Sequence, residues 1–169
     1  MIARRGVTMM EAVIGTLLVG GVLAGTLGVV GPTARSSRLA GDVVIASYLA
    51  AEMLAEIEAQ AFEDPDSADR AFGPEPGESG GNRSRFDDVD DYLAWSSAPQ
   101  STAGALTAGL SDGWLVSVGV VYANAGNPNA DAAADTGIKR VTVSVTKNEV
   151  LLHQQSVLRT RGFDSAWEE

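Results

Sequence analysis

The residues best suited to chemistry are carboxylates, and the densest group lies between residues 86 and 95. Four aspartates fall within five positions: Asp87, Asp88, Asp90 and Asp91. Charges so close repel one another unless water solvates them or a cation bridges them, so a hard, oxygen-preferring ion such as calcium is the functional interpretation. The alternative is an acidic, solvated loop anchored in the core by Phe86, Tyr92 and Trp95. The sequence favours this alternative, because no coordination spacing is recognisable.

Two further patterns imitate known motifs without the surroundings that those motifs need. Residues 77–81 read GESGG, the spacing of a serine-hydrolase nucleophile elbow, which requires a strand before it and a helix after it. Residues 127–131 read NPNAD and imitate the start of an EF-hand loop, but Ala132 replaces the required glycine and Ile138 the bidentate glutamate. We therefore expect no hydrolase chemistry at Ser79, and we predict a hairpin loop at 127–131.

Composition narrows the chemistry further. The 169 residues include no cysteine and one histidine, His153, which excludes thiol nucleophiles and cysteine-based metal sites. We expect His153 to be a surface or cross-strand side chain of a late strand rather than a ligand, because no second His or Cys exists to share a metal. A net charge of −10 argues against nucleic-acid binding. We expect a protein that is not an enzyme.

The elements that must position these residues begin with an apolar segment. Residues 12–31 carry no charge, and a helix of this length spans roughly 30 Å, the thickness of a bilayer's hydrocarbon core. The run is longer than the apolar region of a signal peptide, and Pro32 should bend or weaken the helix after it. Glu11 stands at the mouth of the run, where a carboxylate needs a partner, yet nothing basic lies nearby after Arg5.

Residues 4–11 read RRGVTMME: a short basic leader ending in glycine, then four residues, then glutamate, then the apolar run. This stretch resembles the class III leader of type IV pilins and pseudopilins. The resemblance implies that a prepilin peptidase cuts after Gly6 and methylates the new N-terminus at Val7. It also implies that Glu11 pairs with the terminal amine of a neighbouring subunit in a filament. The alternative is a plain signal anchor.

Orientation does not follow from charge counting, because two arginines precede the span and two follow it. The resemblance implies a cytoplasmic N-terminus and an extracytoplasmic head in the inner membrane before assembly. Gly21 and Gly25 place two bare backbone patches on one helix face, which we interpret as contacts with other subunit helices, although any membrane helix tolerates glycine. The implied partners are prepilin peptidase, other pilin or pseudopilin subunits, the inner-membrane assembly platform and membrane lipid.

Beyond Pro32, apolar residues recur at spacings of three and four, which predicts that the helix continues to about residue 62 with one buried stripe. The stripe comprises Leu39, Val43, Ala46, Ala50, Met53, Leu54, Ile57 and Ala61. Alternation predicts two strands, at about 114–122 and 141–146, and a turn at residues 147–149 returns the chain as a third strand at 150–160. Residues 136–163 hold five basic residues and one acidic residue, so we expect them to pack on the acidic region or on an acidic neighbour.

The predicted fold is α+β: a long N-terminal helix, membrane-spanning in its first half and amphipathic in its second, packed on a small antiparallel sheet as in pilins. The predicted segments are a leader at 1–6, the membrane half at 7–31, the amphipathic half at 32–63, an irregular acidic connection at 64–112, the sheet at 113–163 and a tail at 164–169.

Residues 48–57 and 138–146 look most like the minor pseudopilins and minor pilins of the I/V type, which help initiate or tip a short filament. The resemblance therefore implies a non-enzymatic subunit of a type II secretion system, which transports proteins, or of a type IV pilus machine. The alternative is a signal-anchored extracytoplasmic binding domain, with or without calcium, that never enters a filament.

Overall fold

The structure is a computed structural model that describes residues 8–65, 72–78, 83–99, 110 and 112–164. The predicted cleavage position at Gly6 and Val7, Ser79 of the hydrolase-like pattern and residues 165–169 of the predicted tail lie outside the described residues. The chain divides into two compact units, Met1–Asp42 and Val43–Glu169, and we call the second unit the head.

One long helix, α1, occupies Met9–Glu58. It begins where the sequence supplies a cap: the Thr8 hydroxyl accepts a hydrogen bond from the backbone N–H of Glu11 at 3.3 Å, the first half of a Thr-x-x-Glu capping box. The helix continues through Pro32, which removes one backbone donor but does not end the element. It ends at Glu58, before the predicted end near residue 62.

The two ends of α1 differ in burial. From Met9 to Gly41 every side chain that the structure describes is exposed. Buried residues then recur at spacings of three and four, as Ala46, Leu49, Ala50, Met53, Leu54 and Ile57. The predicted stripe is therefore wrong in its first two members, because Leu39 is 55% exposed and Val43 is 38% exposed. The core of the head includes the buried residues of α1 from Ala46 to Ile57, and the partly buried Ile45 packs against it.

The sheet of the head is antiparallel and contains five strands. They are β1 at Ser96–Ser97, β2 at Trp114–Asn124, β3 at Asn127–Asp131, β4 at Ile138–Lys147 and β5 at Val150–Thr160, and a short helix, α2, follows at Arg161–Asp164. The strand order is β1-β2-β4-β5, with β3 pairing on the end of β2. In the two long strand pairs, Val118 of β2 lies opposite Val143 of β4, and Val143 lies opposite Gln155 of β5.

Valine-rich strands and α1 share one core. The alternating residues Trp114, Val116, Val118 and Val120 of β2 and Val141, Val143 and Val145 of β4 are all buried, and they form one cluster with the buried stripe of α1. Because side chains alternate between the faces of a strand, this pattern assigns one face of β2 and β4 to α1. The α+β prediction, with a long N-terminal helix on an antiparallel sheet, is thus confirmed.

Two strands were not predicted. Residues 127–131 form β3 rather than a loop: the Asn124 side chain accepts hydrogen bonds from the N–H groups of Gly126 and Asn127, turning the chain so that β3 pairs back on β2. The two-residue β1 lies in the region predicted to be irregular, and Trp95 next to it accepts a backbone hydrogen bond from Val118 at 2.9 Å. Neither strand shows an alternating apolar pattern, because β1 has only two residues and β3 reads NPNAD.

Asp87, Asp88, Asp90 and Asp91, which we call the acidic run, are joined by backbone hydrogen bonds to the chain that follows α1. Ala61 forms an isolated bridge with Asp88: its N–H donates to the Asp87 carbonyl at 3.1 Å and its carbonyl accepts from Val89 at 3.0 Å. One 3₁₀ turn, Arg83–Arg85, precedes the run, and a second, Asp90–Tyr92, contains its last two aspartates. Phe86, Tyr92 and Trp95 are buried in the core as predicted, with Phe86 and Tyr92 packed edge to face.

Candidate functional site

The N-terminal half of α1 presents an unusually large apolar surface. Eleven large hydrophobic side chains between residues 9 and 30 are between 49% and 88% exposed: Met9, Met10, Val13, Ile14, Leu17, Leu18, Val19, Val22, Leu23, Leu27 and Val30. Monomeric soluble proteins rarely expose contiguous apolar patches of this kind, which mark membrane or protein contacts. The helix is long and apolar enough to cross a membrane, with a mean hydropathy of 2.2 over its best window, so a single-pass membrane protein is compatible with the structure.

The polar groups within this apolar stretch are satisfied internally. The Thr16 hydroxyl donates to the Ala12 carbonyl at 2.7 Å, and the Thr26 hydroxyl donates to the Leu23 carbonyl at 2.9 Å. Hydroxyl groups bonded back to their own helix expose little unmet hydrogen-bonding capacity. The segment therefore offers a nonpolar surface in spite of its two threonines.

The glycines of this half pack against nothing outside their own helix among the residues that the structure describes. A Cβ added at Gly15, Gly20, Gly21, Gly25, Gly28 or Gly31 would meet no described atom within 4 Å apart from the neighbouring helix backbone. Glycine also costs a helix about 1 kcal/mol relative to alanine. Nothing that the structure describes thus requires these residues to be glycine.

Glu11 lies in the first turn of α1, where the helix dipole favours a negative charge. Its backbone N–H donates to both the hydroxyl and the carbonyl of Thr8. Within the described part of the chain its carboxylate has no ion-pair partner, and the next charged residue along the sequence is Arg35. The cap at Thr8 thus fixes the backbone of Glu11 in the first turn of α1.

The second site is the acidic run of the head, and most of it is buried rather than solvated. Asp88, Asp90 and Asp91 are only 2–3% exposed. Asp88 acts as a local cap, because its Oδ1 accepts the N–H groups of Asp90 and Asp91. The prediction of a solvated loop is wrong for these three residues, because the carboxylates bind neighbouring backbone amides and a buried cation instead of water.

That cation is Lys139 of β4, which is 2% exposed. Its Nζ donates to Asp90 Oδ1 and to the carbonyl of Phe62, and it lies 4.6 Å from the centroid of the Phe62 ring. The other oxygen of Asp90, Oδ2, accepts the N–H of Gly73 at 2.8 Å. One buried ion pair thus joins β4, the acidic run and the chain after α1.

A second polar network joins α1 to the acidic run. The Tyr92 hydroxyl donates to Glu56 Oε1 at 3.0 Å, and Arg83 Nη1 donates to Glu56 Oε2 at 2.9 Å. The Arg83 guanidinium also lies 4.9 Å from the centroid of the Trp95 ring. Burial is the main cause that raises the pKa of Tyr92 above its usual value. Glu56 is therefore held from two sides at the interface of helix and loop.

Burial also changes the acidity of the run. The pKa of Asp88 is raised to about 8, first by burial and then by the negative charge of Asp90, against the opposing effect of Lys139. The pKa of Asp91 is raised by burial and by Glu78, although two backbone N–H groups lower it. Burial and the nearby Glu78 carboxyl raise the pKa of Glu75 to about 7.

The structure does not gather the four aspartates selected from the sequence around one point. Asp88 caps the N–H groups of the following turn, and Asp90 forms the ion pair with Lys139. Asp87 lies at the edge of the run and donates its N–H to Asp91. Instead, carboxylate oxygens of Asp91, Glu75 and Glu78 lie within 4.8 Å of one another. The sequence analysis did not select these two glutamates, although the turn sequence Glu-Pro-Gly-Glu could have indicated that their side chains lie close together.

The basic residues of the hairpin face acidic ones, as predicted. Arg140 binds Asp131, and Arg161 binds both Glu63 and Asp135. His153 lies in β5 opposite Val145, the cross-strand position expected of it.

Comparisons with protein-family models, with curated proteins and with solved structures found no match.

Proposed function

We propose that this chain is a non-enzymatic, pilin-like assembly subunit, a minor pseudopilin or minor pilin of a type II secretion or type IV pilus machine. A prepilin peptidase would cut after Gly6, and the mature chain would enter a filament through its N-terminal helix. The head would lie outside the inner membrane and the N-terminus in the cytoplasm.

The observation that carries the proposal is the change of environment along a single helix. Residues 9–41 of α1 are exposed wherever the structure describes their side chains, whereas one face of α1 from Ala46 to Ile57 is buried in the core of the head. One part of this helix exposes apolar side chains and the other part packs in the core of the head. Such a helix suits a subunit whose exposed part lies in lipid before assembly and against the helices of other subunits after it. An isolated folded head would not need the first half.

Two details fit assembly better than simple anchoring. Glu11 has no ion-pair partner among the described residues, and a carboxylate at the edge of the lipid is costly unless another molecule supplies a cation. A Cβ added at Gly21 or Gly25 would meet no described atom outside its own helix backbone within 4 Å, and this bare backbone suits close approach of a neighbouring helix. The new amine at Val7 would be the cation for a neighbour's Glu11.

Processing distinguishes this proposal from the alternative of a signal-anchored binding domain. The full chain is expressed with and without a prepilin peptidase, and the purified product is measured by intact mass. We expect a product that begins at Val7 only when the peptidase is present. A chain that keeps Met1 in both cases would contradict the proposal and favour the anchor.

Assembly is tested by Glu11→Ala in cells that also express pilin-like subunits of such a machine. We expect normal cleavage and membrane insertion, but roughly tenfold or greater loss of co-purified subunits, because the buried charge pair cannot form. Glu58→Ala is the matched control, since it removes an exposed carboxylate from the other end of α1. Equal recovery of subunits with Glu11→Ala and with the unchanged chain would remove the role of Glu11.

A further inference from the structure

A β-turn brings two glutamates of the head together. Glu75, Pro76, Gly77 and Glu78 occupy its four positions, and the Glu78 N–H donates to the Glu75 carbonyl at 3.1 Å. Proline suits the second position, and Gly77 adopts the positive φ of 121° that the third position of a type II turn requires. Because the first and fourth residues of such a turn are close, the two carboxylates share one side of it.

The turn is held in place by the rest of the head. Phe72 packs on Tyr122 with ring centroids 4.5 Å apart, and the N–H of Gly73 binds Asp90. On the far side, Arg85 Nη1 donates to the carbonyl of Gly77 at 3.0 Å. Contacts on both sides of the turn thus fix its position before any ligand arrives.

Asp91 completes the group from the 3₁₀ turn Asp90–Tyr92. Its Oδ2 accepts the N–H groups of Asp87 and Asp88 at 2.9 and 3.2 Å, which fixes the orientation of the carboxylate. Its Oδ1 has no hydrogen-bond partner, although the residue is only 2% exposed. One carboxylate oxygen from each of Asp91, Glu75 and Glu78 lies within 4.8 Å of the other two.

Three carboxylates this close together are unfavourable without a positive charge between them. A second buried oxygen, Glu78 Oε2, also lacks a hydrogen-bond partner. Buried polar groups in folded proteins are nearly always satisfied, and three converging negative charges repel one another in a medium of low dielectric constant. Two orphaned oxygens among three converging carboxylates indicate a bound positive species.

We propose that Glu75, Glu78 and Asp91 bind one calcium ion. Calcium prefers oxygen ligands, accepts six to eight of them in irregular arrangements and readily completes its shell with water. Magnesium requires a more regular octahedron and gives up water reluctantly, and zinc prefers the nitrogen and sulfur ligands that this site does not offer. The ion would link the turn at 75–78 to the acidic run, and this role does not depend on filament assembly.

The test uses the full chain in detergent micelles after chelator treatment and removal of the chelator. Calcium is titrated by isothermal calorimetry, and thermal unfolding of the head is followed by the fluorescence of Trp95 and Trp114, which are both buried. We expect one ion per chain, with a dissociation constant between about 0.1 and 1 mM, the range of extracellular calcium modules. Calcium should raise the unfolding temperature, and magnesium at the same concentration should raise it less.

Two variants separate cation binding from a purely structural role. Glu78→Gln should weaken calcium binding by roughly tenfold or more, because it removes one charged ligand. Without calcium it should raise the unfolding temperature, since an amide can donate to a neighbouring carboxylate and relieves repulsion. Glu149→Gln is the matched control, an exposed carboxylate on the hairpin turn, and should bind calcium like the unchanged chain.

Two results would overturn the proposal, and a third variant tests the site independently. No calcium binding up to about 10 mM, well above the weakest calcium modules, would mean that a shared proton holds the three carboxyl groups and would overturn the proposal. Binding that Glu78→Gln leaves unchanged would place the ion elsewhere, with the same consequence. Asp91→Asn keeps an oxygen for the two backbone N–H groups, so its loss of binding alongside normal fluorescence would support the site independently.

Discussion

Individual residues of the acidic run differ in their partners. Asp90 has a buried lysine, so its charge is compensated. Asp88 has two backbone N–H groups but shares the site with Asp90, and burial raises its pKa to about 8. Asp88 and Asp90, which are two positions apart in the sequence, thus differ in what compensates their charge.

Asp88 should make the head less stable as the pH rises. Its pKa is near 4 in an unfolded chain and about 8 in the folded head, so between these values folding retains a proton that the unfolded chain releases. The contribution is fully present below about pH 4 and is lost as the pH rises through 8. Asp88→Asn keeps the Oδ1 acceptor and removes the charge, so we expect a smaller decrease in stability between pH 5 and 8. Urea unfolding by tryptophan fluorescence measures this change.

The expected gain of Asp88→Asn over the unchanged chain at pH 8 is on the order of 1–3 kcal/mol. Asp112→Asn, an exposed carboxylate in the same unit, is the control and should leave the pH dependence unaltered. If Asp88→Asn and the unchanged chain lose stability in parallel, Asp88 ionises normally in the fold and the argument from burial fails.

Lys139 should be among the most sensitive positions in the head. Lys139→Met removes the cation and leaves Asp90 buried without a partner, which typically costs about 3–5 kcal/mol. Adding Asp90→Asn removes the stranded charge, so we expect the double variant to recover more than half of the loss. Urea unfolding of both variants gives the coupling energy, and additive losses would show that the pair does not interact.

At the scale of elements, long periodic patterns predicted the structure and short ones did not. The three-and-four spacing found the second half of α1 and the alternation found β2 and β4, because each of these buries one continuous face. β5 was predicted from the turn that precedes it, and it buries no continuous face. The pattern failed at Leu39 and Val43, since periodicity reports an apolar stripe but not what covers it. It also missed β1 and β3, whose pairing on β2 depends on backbone hydrogen bonds and Asn124 rather than on apolar residues.

The hairpin between β4 and β5 carries a strained turn that can be relieved. Asn148 and Glu149 both have positive φ angles, 48° and 67°, as in a type I′ turn, where glycine is preferred at the second position. Glu149→Gly should therefore stabilise the head by about 1 kcal/mol. Thermal unfolding measures it, and Glu149→Gln controls for the lost charge. A gain of equal size in both variants would assign the effect to charge rather than to the backbone.

At the scale of the whole molecule, candidate sites were less predictable than elements. Glu11 was recognised because a carboxylate beside an apolar run is conspicuous along the sequence itself. The group of Glu75, Glu78 and Asp91 was not, because it depends on a turn and a 3₁₀ turn meeting in space. Likewise, the charge balance predicted that the basic hairpin faces acidic residues, but not that Lys139 would bind Asp90.

The buried core lies entirely within the head, so the head should fold without the N-terminal half of α1. All buried hydrophobic residues of the described chain lie between Ala46 and Val145, whereas the described side chains of residues 9–41 are exposed. A truncated chain that begins at Val43 should therefore be soluble without detergent and should unfold in urea at the same concentration as the head of the full chain in micelles, as reported by Trp95 and Trp114. Truncation at Met53 is the control that removes part of the stripe and should abolish cooperative unfolding. A Val43 chain that aggregates or lacks a cooperative transition would mean that the first half of α1 contributes to the stability of the head.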